Sequence, residues 1–60
     1  MYMLVQEPSS SEARRAFEAL DDTFGTESFD KGSAQRVLAE HGFNKGILDM
    51  LISTGCIEEV

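Results

Sequence analysis

Residues 51–60 read LISTGCIEEV: the end of an aliphatic helix, a glycine, and a short run that is β-branched at Ile57 and Val60. The run reads as a strand. A lone strand leaves backbone N–H and C=O groups unpaired, and even one hairpin's worth of strand is not stable in water, so CIEEV needs a partner. The chain offers one other good strand, MYMLVQ at residues 1–6, which is halted by Pro8 because proline cannot extend a hydrogen-bonded central strand. The expectation is that the two ends of the chain pair, antiparallel or parallel, and together cover one side of what lies between them. As a mainly apolar run, residues 2–6 also read as a strand that can be covered on both faces.

Three helices are expected between these strands. Ser9 and Glu12 in SSSE have the spacing of a capping box, which satisfies the first free N–H groups of a helix. Ala13, Ala16, Phe17, Leu20 and Phe24 then recur at three- and four-residue intervals, with Arg14, Arg15, Glu18, Asp21 and Asp22 on the other side and a stop at Gly25. TESFD sets Phe29 between polar residues and has room only for a linker or a one-bridge strand. Asp30 reads as the next N-cap, ahead of a stripe of Ala34, Val37, Leu38 and His41 that ends at Gly42, with Phe43 plugging the corner. Asn44 caps a third helix, the most hydrophobic element, with Ile47, Leu48, Leu51 and Ile52 inward and Gly55 as terminator. The fold class is therefore helix-rich α+β, one domain over residues 1–60, in the order strand, helix, helix, helix, strand, with a small two-stranded sheet formed by the chain ends.

Composition bounds the function classes. A 60-residue chain hides only about 60% of the surface its unfolded form exposes, so nearly every large apolar residue must join the core, and docking onto a second copy or a larger partner would help. Eleven acidic side chains against five basic ones give a net charge of -6, spread from Glu7 to Glu59. That pattern reads as a solvated surface that repels nucleic acid overall, and a salt-adapted proteome would look the same. The single cysteine, Cys56, excludes an internal disulfide. MYMLV is too short for a membrane span and carries no basic leader, so the expected location is cytoplasmic.

The stretch QRVLAEHGFNKGILDMLISTGCIEEV sets an apolar helix, Gly42 in a turn, Phe43 after it, aliphatics at Leu48 and Leu51, and a helix end running through STGCIEEV. With SFD where a minor strand often precedes the second helix, this pattern resembles the winged-helix and helix-turn-helix superfamily over roughly residues 13–60. Leu38 stands where that family usually has a small residue, and the hairpin wing is absent or its returning strand is replaced by MYMLV. The resemblance implies a winged-helix-like three-helix core and transcription regulation, with the third helix entering the major groove. On that reading the DNA-binding residues are Lys31, Arg36 and Lys45, acting in a dimer.

The residues themselves favour a different use. Outward on the third helix stand Lys45, Gly46, Asp49, Met50 and Ser53, which offer one cation, one anion and little for a bidentate base contact. The leading expectation is a small non-enzymatic regulatory or adaptor module that associates with protein, itself or another chain, through Lys45, Asp49, Met50 and Ser53 and through the sheet edge. Met50 reads equally as a surface anchor or as part of a wider core stripe. An enzyme is not expected: His41 falls where it can satisfy helix carbonyls, and Cys56 is most simply a small buried hydrophobe. One Cys and one His cannot supply a zinc site, and DDTFGTESFD lacks the glycine and glutamate of a calcium loop. No metal, cofactor, membrane or small-molecule substrate is expected.

Overall fold

The computed structural model describes Met1–Val60. Two strands, β1 (Tyr2–Leu4) and β2 (Ile57–Glu59), flank three helices, α1 (Ser11–Phe24), α2 (Lys31–Glu40) and α3 (Gly46–Ser53). The chain ends pair in the antiparallel sense, Tyr2 opposite Glu59, Met3 opposite Glu58 and Leu4 opposite Ile57. On its other side β1 meets Phe29 in a single bridge: Tyr2 N–H donates to Phe29 C=O at 2.6 Å and Phe29 N–H donates back to Tyr2 C=O at 2.8 Å. β1 thus lies between the SFD segment and β2, and β2 is an edge strand.

Each helix starts on a polar side chain, though two starts sit one residue from the expected place. Ser10, not Ser9, caps α1: its backbone is extended (φ −78°, ψ 146°) and its hydroxyl accepts from Ala13 N–H at 3.2 Å. Ala13 then takes the place of the capping-box glutamate, so the Ser9–Glu12 box does not form. Adjacent serines have the same chemistry, and only the backbone angles choose between them. Asp30 caps α2, Oδ1 accepting from Ser33 N–H at 2.7 Å. At α3, Asn44 Oδ1 accepts from Gly46 N–H at 3.0 Å, while Lys45 already has helical angles and the assigned helix begins one residue later.

α2 and α3 end by the same device. Gly42 (φ 84°) and Gly55 (φ 81°) take the left-handed conformation that a Cβ disfavours. In α2, Phe43 N–H donates to Leu38 C=O at 2.9 Å and Gly42 N–H to Ala39 C=O at 3.0 Å. In α3, Cys56 N–H donates to Leu51 C=O at 3.0 Å and Gly55 N–H to Ile52 C=O at 3.2 Å. These are two Schellman motifs, in which the residue after the glycine normally packs an apolar side chain back on the helix. That gives Phe43 and Cys56 their reason to be apolar. It also sets the direction in which β2 leaves α3.

The core gathers Ala16, Phe17 and Leu20 of α1, Ala34 and Leu38 of α2, Leu48 and Leu51 of α3, Phe29, and Ile57 of β2. Tyr2 and Leu4 pack against it from β1, and Phe24 stacks on Phe29 with ring centroids 4.6 Å apart. His41 is exposed rather than part of the buried α2 stripe; its Nδ1 lies 2.9 Å from Val37 C=O, where the Nδ1–H tautomer satisfies a terminal helix carbonyl.

The N-terminal strand departs from expectation in two ways. It ends at Leu4, because Val5 and Gln6 N–H groups both turn to Cys56 C=O, at 2.8 and 3.4 Å. Nor is it covered on both faces. Tyr2, Leu4 and Ile57 face the helices, whereas Met3, one residue out of phase, is exposed. All three helices pack on one side, so the other face of the sheet stays open.

Candidate functional site

The four residues expected to form one patch on α3 divide between two surfaces. Lys45, Asp49 and Ser53 recur every four residues and share a ridge, while Met50 lies about 100° around the helix from Asp49. Asp49 Oδ1 reaches across to α2 and pairs with Lys31 Nζ at 3.3 Å, both groups being exposed. Ser53 turns its hydroxyl back on the helix, donating to Met50 C=O at 3.1 Å. Met50 instead borders an open groove of about 320 Å³ that runs between α3 and the loop before α1, with Gln6, Glu7, Pro8, Thr54 and Cys56 among its lining residues.

The three cations assigned to the DNA-binding alternative also do not form a single face. Lys31 and Arg36 are five residues apart on α2, which sets them about 140° around its axis. Lys31 is moreover the cation held by Asp49. Lys45 and Arg36 are exposed and belong to no ion pair.

A surface that the sequence reading passed over lies on the chain ends. Five large apolar side chains are exposed: Met1 (55%), Met3 (38%), Val5 (48%), Met50 (39%) and Val60 (65%). The sheet assigns three of them to one place. Paired residues in an antiparallel sheet share a face and alternate along each strand, so Met3 and Glu58 lie on the side away from the helices, with the bonded ends Met1 and Val60 in phase with them, while Val5 follows just past the end of β1. Val60 N–H donates to Met1 C=O at 2.9 Å, which holds that end together. At the other end Val5 is bonded to Cys56, and Cys56 lines the groove that Met50 borders. The groove thus begins one residue beyond Val5, at Gln6, with Met50 on its border. MYMLV is apolar throughout, so the outer sheet face shows only once all three helices are assigned to the other side of the sheet.

The charged side chains identified on this surface are acids, and the Met1 amino terminus lies at its end. Glu58 stands opposite Met3 on the sheet, Glu7 lines the groove, and neither has a cation within ion-pair distance. Asp30 lies elsewhere, at the start of α2; the side-chain hydrogen bond to Ser33, helped by the Ser33 backbone N–H, holds its carboxyl below the usual carboxylate range. Cys56 is buried and its Sγ lies 3.5 Å from the Thr54 hydroxyl, which also donates to Met50 C=O at 2.8 Å. No three His, Cys, Asp or Glu side chains converge as a metal would need. No helix is long and apolar enough to cross a membrane. No protein-family model, no curated protein and no solved structure matches the chain.

Proposed function

We propose that this domain works by binding protein, as a non-enzymatic regulatory or adaptor module, and that the binding surface is the outer face of the terminal sheet continued into the groove beside Met50. The observation that carries this reading is the exposure of Met1, Met3, Val5 and Val60 at the terminal sheet and of Met50 on the groove that begins at Gln6, on a chain with a net charge of -6. Isolated exposed apolar residues are ordinary, whereas a contiguous patch rimmed by polar groups marks an interaction site. Met50 keeps the role given to it from sequence, with a different set of neighbours. Lys45, Asp49 and Ser53 become a separate, solvated ridge.

The winged-helix relation is proposed as the fold's kinship, supported by β1 lying between Phe29 and β2, where MYMLV can stand in for a returning wing strand. DNA binding is the weaker reading. Lys31 is engaged by Asp49, Arg36 points to another side of α2, and eleven acids oppose five bases.

The test is a comparison of the wild-type chain with a Met3→Asp/Val5→Asp variant and a Lys45→Glu variant, each checked for unchanged circular dichroism. Association, read as mass in solution and as partners retained on a column, should be lost in the first variant and kept in the second. Unchanged association in the first, or salt-sensitive retention of duplex DNA that Lys45→Glu abolishes, would overturn the proposal.

A further inference from the structure

We infer that the occupant of this surface is a basic amphipathic segment of another protein, laid along Met3, Val5 and Met50 with Lys or Arg side chains set against Glu58 and Glu7. The inference rests on the proposed function and names its partner.

Charge complementarity carries it. The surface has apolar side chains along its length and two carboxylates, and no Lys or Arg lines the groove. The one ion pair of the molecule, Lys31–Asp49, is elsewhere, so neither Glu58 nor Glu7 is already paired with a cation. Glu58 sits opposite Met3, halfway along the exposed stripe, where a docked partner removes it from water. A carboxylate desolvated without a cation is costly, and one given a cation is not. A second copy of this chain supplies the wrong sign. Face-to-face pairing would bring two Glu58 and two Glu7 carboxylates into one interface between bodies that each carry -6.

The dimensions fit a helix or an extended strand. From Met1 to Val5 the stripe spans about 14 Å at the rise of a strand, and the groove beyond it extends the track, whereas a helix with its side chains is about 10 Å across. Apolar residues at helical spacing on the partner would meet Met3, Val5 and Met50, and flanking cations would meet the two acids.

The experiment measures binding of the whole chain to three synthetic amphipathic peptides that share one leucine stripe and carry Lys, Gln or Glu at the flanking positions, at low and high salt. The lysine peptide should bind at least about tenfold more tightly than the glutamine peptide, the glutamate peptide most weakly, with the differences shrinking as salt rises. Glu58→Lys/Glu7→Lys should reverse the order. Equal affinity for the three peptides, loss of which requires Met3→Asp/Val5→Asp, would overturn the charge inference and leave the binding surface standing. No peptide bound, with a doubled mass that the same variant abolishes, would make the occupant a second copy and overturn the inference alone. Peptide binding that Met3→Asp/Val5→Asp does not weaken would overturn both the inference and the surface.

Discussion

The two faces of the terminal sheet are made of the same kinds of residue and do opposite things. Tyr2, Leu4 and Ile57 point at three helices and close the core, and Ile57 is among the most deeply buried side chains of the molecule. Met3 and Val5 belong to the same short run and are open to water. The difference teaches that hydrophobicity alone does not tell a core strand from a binding strand in so small a protein. Phase does, because successive side chains alternate between faces. The sharpest way to break the comparison is to remove one strand and with it both faces. Deleting residues 1–7 takes away the partner of β2, the bridge to Phe29 and the covering of Tyr2 and Leu4 at once. The shortened chain is expected to lose cooperative thermal melting, followed by circular dichroism; a sharp transition at an unchanged temperature would contradict the closing role of the sheet.

Single substitutions sharpen it. Ile57→Ala leaves a cavity in the centre of the core and should cost about 2–5 kcal/mol in urea denaturation, enough to unfold much of a small domain. Met3→Ala, on the opposite face, should stay within about 0.5 kcal/mol. A similar loss in both would mean that the outer face is covered in solution. Gly55→Ala comes next in size. It changes no contact, since nothing lies within 4 Å of the Cβ position, yet φ is 81° there. The strain of a left-handed alanine should cost about 1–2 kcal/mol and should loosen the Cys56–Leu51 bond that aims β2 at β1.

Much of this fold is legible from sequence, for reasons that can be stated residue by residue. CIEEV requires a partner because backbone groups do, and MYMLV is the other strand available. Gly25, Gly42 and Gly55 mark helix ends because each has a positive φ. Ala13, Ala16, Phe17 and Leu20 are buried as their spacing demands. The choice between Ser9 and Ser10 is not legible, because neighbouring serines differ only in backbone angles that tertiary packing sets. The open face of β1 is hidden for another reason: Met1, Met3 and Val5 are as apolar as the residues that point inward, so the alternation carries no polar signal. The candidate site is legible only in part. Met50 stands out on a helical wheel of α3, but its neighbours come from residues 6–10, brought there by a pairing whose sense the sequence leaves open. The separation of Lys31 from Arg36, by contrast, follows from their five-residue spacing alone.

An effect smaller than that of Gly55→Ala lies beside the bridge residue Phe29 and depends on pH. Asp30 follows Phe29 and fixes the turn into α2 by accepting from the Ser33 side chain and backbone N–H, with smaller attractions from the amino terminus and Arg36. Its folded-state pKa is therefore lowered from the ordinary 3.8. A carboxylate whose pKa falls on folding adds stability that is present above the unfolded value and is lost as pH falls through the folded one. Asp30→Ala should accordingly melt at a lower temperature than wild type at neutral pH, and the gap should close on acidification below the unfolded value. Asp30 is fully exposed, so solvent screens the effect and it should rank below those of the deletion, Ile57→Ala and Gly55→Ala. Because the cap adjoins the bridge to Tyr2, the amide of Phe29 should exchange faster in Asp30→Ala while those of β2 stay protected. Faster exchange in β2 as well would mean that the sheet is held from the Phe29 side as strongly as from α3, and that the two faces are not separable by single substitutions.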